Sequence, residues 1–296
     1  MLPEFELIQP ENLNEATRIL LELGEKACLL AGGTDVFTAM REKGFEPEVL
    51  VDLKGIRDLR GITSAGDHRV SIGATTTLHE VETSKLVNEV CPVLAETVGQ
   101  IGSIQVRNRG TIGGNLGNGS PAADSARALL ILDAEVELES AAGRRAVPIE
   151  SFFNGPGETA IKRGEIMRRV IIPAPKPDTS MVSLKYGPRQ AMDCAVVSVA
   201  VAMTFDPSGG CQMARIALGA VAPTPLRARQ AEALLVGGKL TQQHLEKVAE
   251  ATCAEARPIS DIRASAGYRS HLVEVLVRRA VKQAVEQHRA GMTRSK

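Results

Sequence analysis

The sequence has no tryptophan, two tyrosines and six phenylalanines among its 296 residues. A large apolar site in this chain would therefore have to be walled mostly by aliphatic side chains, not by stacked rings. An excess of either charge is also missing, since 35 Lys and Arg balance 35 Asp and Glu. That balance gives no global pull toward nucleic acid or an anionic membrane. No apolar run reaches about 18 residues, so no transmembrane helix is expected. The opening "MLPEFELIQP" lacks a basic segment followed by an apolar one, so no secretory signal is expected either. The five cysteines (Cys28, Cys91, Cys194, Cys211 and Cys253) are scattered and form no C-x-x-C. This fits a reduced, cytoplasmic chain in which they serve as small buried apolar residues. It argues against a zinc site or an iron–sulfur cluster held by this chain alone. The histidines form no H-x-x-x-H or H-E-x-x-H pair. There is no G-x-G-x-x-G, no P-loop, no nucleophile–base pair and no carboxylate dyad.

The length implies more than one core. In "NLNEATRILLELG", Leu13, Ala16, Leu20 and Leu23 share a helical face, with Asn12 and Glu15 at the start and Gly24 as the stop. The run Cys28 to Ala31 reads as a buried strand that enters a tight turn, with a helix from about Asp35 and a second strand at Pro47–Leu53. Strand, helix and strand of these lengths predict a parallel crossover. Farther on, "HRVSIGATTTLHEV" reads as a strand and a helix start. Pro92 to about Ile101 reads as a helix running into an extended "GSIQVRNRG". "EVELESAAGRR" has hairpin chemistry, and "EIMRRVIIPAP" is a strand ended by prolines. "PAPKPDTS" is the strongest linker. After it come three strands, with "DPSGG" as the turn between the last two, and two or three helices, one of which aligns Leu245, Val248, Ala249 and Thr252. A short basic tail, "RAGMTRSK", closes the chain.

Two glycine pairs stand out, "AGGTD" at Ala31–Asp35 and "TIGGN" at Thr111–Asn115. Each presents backbone N–H groups with no Cβ to block approach, a device that binds phosphate oxygens without a lysine. Two such loops suit a pyrophosphate. Each pair read alone is also an ordinary turn.

The stretches "LLAGGTDV", "IGATTTL", "VRNRGTIGGNLGNGSPAAD", "LKYGPRQAMDCAVVSVAVAM" and "SDIRASAGYR" occur in an order that resembles the flavin-binding medium subunits of the molybdenum hydroxylases. The likeness runs from Leu29 to Arg269, nearly the whole chain. It implies an α+β fold: a two-part FAD-binding domain of the PCMH/vanillyl-alcohol-oxidase type, then a C-terminal α+β domain with a three-stranded antiparallel sheet and helices. The implied boundaries are 1–55, 56–175 and 176–296. By the same resemblance Leu30, Ala31, Gly32, Gly33, Thr34, Asp35 and Val36 form a first loop on the FAD pyrophosphate. Thr111, Ile112, Gly113, Gly114 and Asn115 form the second. Asp124 would bind a flavin-side hydroxyl, Ile101 and Met167 would pack near the flavin, and Lys185 would approach the cofactor. Gly117 and Gly119 stand where alanine is frequent in the family, and the smaller residues would loosen the loop without blocking binding. From the residues alone, Asp124 reads equally well as a helix N-cap, Lys185 as a solvated strand lysine and Met167 as core.

The resemblance further implies non-covalent FAD in this chain. The molybdenum cofactor would lie in a large partner subunit and two [2Fe-2S] clusters in a small one, in a heterotrimer that itself dimerises. Electrons would pass from the clusters to FAD and on to NAD, oxygen or a quinone. Some relatives carry an extra cluster in an inserted segment, and the cysteine spacing here shows no such insertion. Two rivals remain at this point: a flavin-free scaffold of the same complex, and a stand-alone flavin oxidoreductase with its own catalytic acid, base or covalent attachment. The intact glycine pairs oppose the first, and the lack of such a group over a glycine loop opposes the second.

Overall fold

The computed structural model describes residues 2–66, 68–189, 192–238 and 240–294. Gln190 and Ala191, within one family landmark, and Ser295 and Lys296 of the basic tail lie outside them.

The chain begins with β1 (Glu6–Ile8), α1 (Leu13–Leu23), β2 (Ala27–Leu30), α2 (Val36–Glu42) and β3 (Val49–Asp52). These strands form a parallel sheet in the order β1-β3-β2, so the expected crossover is present. Asn12 caps α1 by accepting from the Glu15 N–H at 3.0 Å, and Gly24 closes it with φ +57°. The central strand β3 is buried throughout, whereas β2 is buried only at Leu30. The expected buried strand at Cys28 is thus half-buried, because it occupies the sheet edge.

Next come β4 (Ile62–Ser64), β5 (Val70–Gly73), α3 (Leu78–Thr83), α4 (Lys85–Val90), α5 (Pro92–Gly99), α6 (Ile104–Arg107), α7 (Ile112–Gly117) and α8 (Asp124–Ile131). They are followed by β6 (Glu135–Ser140), β7 (Gly143–Pro148), β8 (Phe153–Gly155), β9 (Glu158–Thr159) and β10 (Ile166–Ile172). A five-stranded antiparallel sheet runs β4-β5-β10-β6-β7. The stretch expected to be extended after α5 instead winds one turn of helix, α6. Ser103 caps it by accepting from the Val106 N–H at 3.3 Å, a local bond that outcompetes the extended form.

The last part holds β11 (Thr179–Tyr186), β12 (Val197–Phe205), β13 (Cys211–Gly219), β14 (Leu226–Arg227), α9 (Arg229–Leu235), α10 (Gln242–Glu255) and α11 (Ala266–Arg294). The sheet is four-stranded, β11-β12-β13-β14, with a two-residue strand added to the three expected. The buried face of α10 is Leu245, Val248, Ala249 and Thr252, as its spacing predicts.

The strand β12 joins two cores. Its sequence "VSVAVAMTF" alternates large and small, and all nine residues are buried. Val197, Val199, Val201, Met203 and Phe205 enter the core under α10 and α11. Ala200 and Ala202 belong instead to the core that contains α8. Strand periodicity sends alternate side chains to opposite faces, and alanines let a helix approach closely. All eight residues of α8 are buried as a result. The same alternation on β11 sends Val182 to the helical core and leaves Ser183 and Lys185 on the α8 side.

Candidate cofactor-binding site

β2 delivers the first glycine loop at its carboxyl end, just before α2. Gly33 has φ +77°, in the region where glycine is favoured, and a Cβ there would also meet the Phe37 ring at 2.8 Å. At Gly32 a Cβ would lie 2.3 Å from the Arg109 carbonyl oxygen and 2.7 Å from Gly110 Cα. The first loop therefore packs backbone to backbone against the segment that leads into the second. Among the described residues, no protein acceptor takes the N–H groups of Gly32, Gly33, Thr34 or Asp35. Leu30 is buried, and Val36 packs against the small core beneath the loop.

The second loop differs. Thr111 caps α7, its hydroxyl accepting from the Gly114 N–H at 3.0 Å. Ile112 N–H donates to the Thr76 carbonyl (3.0 Å), Gly113 to Ala74 (2.9 Å) and Asn115 to Thr111 (2.9 Å). The donors expected to meet a phosphate are thus already bonded within the protein. A Cβ at Gly113 would strike Ala74 at 2.7 Å, so that glycine serves the fold. Gly114 is exposed, and the only atom within 4 Å of its would-be Cβ is Thr111 Oγ1, at 3.0 Å. Neither tight backbone packing nor a positive φ demands glycine there, and what its missing side chain provides is room.

Beside the two loops lies a pocket of about 130 Å³ whose wall includes Lys54, Arg60, Arg109, Thr75, Thr77 and Thr111. Lys54 Nζ pairs with Asp52 at 2.7 Å and Arg60 with Glu80 at 2.8 Å. Burial alone would raise both carboxyls, but the hydrogen bonds from Lys54 to Asp52 and from Arg60 and Thr77 to Glu80 outweigh it and hold both below their ordinary values. The pocket suits an anionic, hydroxyl-bearing group. It is smaller than the roughly 300 Å³ at which pockets for drug-sized ligands begin, so it could take only part of a dinucleotide.

Contacts continue from the second loop to the far strand. Ser125 donates to Asn115 Oδ1 at 2.6 Å, tying α7 to the start of α8. Asp124 follows, 6 % exposed. It is no N-cap: Ala123 holds that position, and Asp124 is the first helical residue. Its Oδ2 accepts from Lys185 Nζ at 2.6 Å, and Oδ1 accepts from Arg127. Lys185 Nζ also donates to the Gln100 carbonyl oxygen at 3.0 Å. Lys185 is therefore a half-buried, paired cation rather than a solvated one, placed by the strand face it occupies. Burial draws the Arg127 guanidinium pKa down, against the opposing pull of Asp124. Ile101 and Met167 both belong to the central core, 9 % and 5 % exposed. Arg107 fixes the backbone at Ile101 by donating to its carbonyl oxygen at 3.1 Å.

Reading the residues alone missed Lys54, Arg60, Gln100, Arg109, Arg127 and Ser183. Arg109 lies within the stretch "VRNRGTIGGNLGNGSPAAD", yet nothing local distinguishes it from a solvated arginine. Two of the expected roles change. Gly119 has φ +61°, and a Cβ there would lie 2.9 Å from Glu158 N, so glycine tightens this turn instead of loosening it. The cysteines are not uniformly buried either. Burial pushes the Cys91 thiol up to about 12 and that of Cys211 up to about 11, but Cys194 is exposed, on the stretch before β12 where no core covers it. The "SDIRASAGYR" landmark serves the fold. Arg269, 2 % exposed, donates to the carbonyls of Val196 (2.7 Å) and Ala220 (2.8 Å) and pairs with Asp261 at 2.7 Å.

Residues 3–175 match the family described as the FAD-binding domain in molybdopterin dehydrogenase. Residues 182–284 match the CO dehydrogenase flavoprotein C-terminal domain. The chain belongs to the FAD-binding medium subunits of the molybdenum hydroxylases. This medium subunit is 36% identical over 282 residues to the carbon monoxide dehydrogenase medium chain of Hydrogenophaga pseudoflava, covering 95% of this chain and 97% of that one. It is 35% identical over 267 residues to the xanthine dehydrogenase FAD-binding subunit of Escherichia coli O157:H7, covering 90% and 91%. A solved carbon monoxide dehydrogenase from Hydrogenophaga pseudoflava superposes with a TM-score of 0.93 at 36% identity, covering 97% of this chain and 99% of that one. Quinoline 2-oxidoreductase from Pseudomonas putida 86 gives 0.91 at 29% identity, with the same coverage. The medium subunit is thus an oxidoreductase subunit with an FAD-binding domain. Its residues fit FAD in three respects: unengaged amides on the first loop, an exposed Gly114 on the second, and a buried carboxylate paired with a half-buried lysine. Among the described residues, no helix is long and apolar enough to cross a membrane.

Proposed function

We propose that this medium subunit is an electron-transfer subunit. It would receive electrons from iron–sulfur clusters in a small partner subunit and pass them to a final acceptor, while substrate is oxidised at molybdenum in a large partner. FAD, when bound, supplies the redox chemistry and can accept electrons singly and release them as a pair. The chain's own residues position it. The N–H groups of Gly32, Gly33, Thr34 and Asp35 would hold pyrophosphate oxygens. Thr111, Ile112, Gly113, Gly114 and Asn115 would give the second loop's close approach. Asp124 would accept from a hydroxyl on the flavin side, and Ile101 and Met167 would wall the ring. Lys185 would favour added negative charge on it.

The observation that carries this reading is the Asp124–Lys185 pair, 2.6 Å apart, next to Ser125, whose hydroxyl donates to Asn115 of the second glycine loop. The reading is tested on the complex purified with its co-expressed partners, reduced anaerobically with dithionite and mixed in turn with NAD, oxygen and a quinone. The expected result is rapid re-oxidation of the cluster absorbance by one of the three. A complex carrying Gly114→Val should keep its clusters and re-oxidise at least about tenfold more slowly, since a valine at this exposed position displaces the cofactor. Equal rates in the two complexes would show that electrons leave by another route.

A further inference from the structure

Arg127 is among the largest side chains fully hidden from solvent. Its guanidinium reaches three elements at once. It donates to Asp124 Oδ1 on its own helix, through Nε to Ser183 Oγ on β11 at 3.0 Å, and through Nη2 to Gln100 Oε1 beyond α5 at 3.1 Å. Two of these partners are also bonded to Lys185. Asp124 gives its second oxygen to Lys185, and Gln100 gives its carbonyl oxygen. Ser183 precedes Lys185 by two positions on the same strand and therefore shares its face. Arg127 and Lys185 thus close a ring of hydrogen bonds through two shared neighbours, Asp124 and Gln100, while Ser183 anchors Arg127 to the strand that carries Lys185.

Holding α8 against the sheet does not require this ring. The alanines of β12 already let α8 pack closely, and an apolar side chain would fill the Arg127 site without the cost of stripping water from a guanidinium. What an arginine adds is direction, since its planar fork fixes the plane of a carboxylate. It also adds charge. One carboxylate lies between two cations, so the cluster carries one uncancelled positive charge. If Asp124 faced Lys185 alone, the pair would be neutral.

We propose that Arg127 is a positioning residue of the flavin site. It takes one oxygen of Asp124, so that the other fixes Lys185 Nζ, and it neutralises Asp124 so that the Lys185 charge remains uncancelled. The proposal rests on the reading of Asp124 and Lys185 as flavin contacts.

The test is FAD titration of the full-length, flavin-stripped chain. Arg127→Lys keeps the charge but cannot reach all three acceptors, and it should raise the Kd for FAD about tenfold, the effect of leaving a buried charged group poorly bonded. In a Lys185→Met background the same change should add less than about twofold, because coupled residues are not additive. A residue that only supports the fold would lower the unfolding temperature and leave the Kd alone, or would act additively with Lys185→Met. Either result overturns the proposal. Should Arg127→Lys fail to fold, Ser183→Ala removes one of the three contacts that hold Arg127 and is read in the same way, with about a threefold rise expected in the wild-type background and none beside Lys185→Met. Wild type that binds no FAD even in the assembled complex, or Asp124→Asn that binds it unchanged, sinks the cofactor-site reading itself, and this proposal with it. Sensitive Asp124→Asn beside an inert Arg127→Lys sinks only the role of Arg127.

Discussion

The first and second glycine loops look alike on the page and differ in what the fold leaves free. At Ala31–Asp35 the backbone N–H groups of Gly32, Gly33, Thr34 and Asp35 have no acceptor among the described residues. At Thr111–Asn115 the corresponding donors are bonded to Thr76, Ala74 and Thr111. One loop offers hydrogen bonds and the other offers room. The glycines divide along another line as well. Gly32 and Gly113 each press against backbone atoms, while a Cβ at Gly114 would meet a single side-chain atom, the Thr111 hydroxyl, at 3.0 Å. A repeated Gly-Gly therefore performs three tasks, namely close backbone packing at Gly32 and Gly113, a left-handed turn at Gly33 and an exposed surface beside the Thr111 cap at Gly114.

Single substitutions can break this comparison. The largest effect should follow Gly32→Ala and Gly113→Ala, whose new Cβ atoms meet neighbours at 2.3 and 2.7 Å. Each is expected to destabilise by about 2–3 kcal/mol in urea unfolding, as overpacking does. Stability within about 0.5 kcal/mol of wild type would mean that these glycines do not serve packing. Next comes Gly119→Ala, which combines φ +61° with a 2.9 Å approach to Glu158 N and should cost about 1–2 kcal/mol. By contrast Gly117 lies in α7 with nothing within 4 Å of its would-be Cβ. Gly117→Ala should stabilise by about 0.5–1 kcal/mol, the helix preference for alanine over glycine. Opposite signs at two neighbouring glycines would sharpen the account, and equal signs would blunt it.

The smallest effect concerns a landmark that serves the fold. The Arg263 backbone N–H and the Arg269 guanidinium hold the Asp261 carboxyl down to about 2. A carboxyl whose folded pKa lies below its unfolded value of about 3.9 contributes stability above that value. The contribution is lost as pH falls toward 2. The unfolding temperature of Asp261→Asn should therefore lie below wild type at pH 5 and converge with it near pH 2. A gap independent of pH would show that the carboxylate charge is not what matters there.

Local chemistry made much of the fold legible. The heptad-like spacing of α1, its Asn12 cap, the β2–α2–β3 crossover and the apolar face of α10 all follow from neighbours a few residues apart. The alternating valines and alanines of β12 were visible too, although their meaning needed two partners, one on each face. The candidate site was legible only as pieces. The Asp124–Lys185 pair spans 61 residues and the Arg127–Ser183 bond 56, separations at which no local pattern operates. Lys185 reads as a surface lysine until the strand face is known. α6 was missed because a single turn closed by a serine cap leaves almost no periodicity to detect.

The most direct measurement is the visible absorption spectrum of the purified chain, alone and with its co-expressed partners, before and after acid denaturation. The account predicts flavin bands that pass into the supernatant once the protein precipitates, as expected of FAD held only by loop amides, a buried carboxylate and a lysine. A colourless chain in the assembled complex, or flavin that stays with the precipitate, would contradict it.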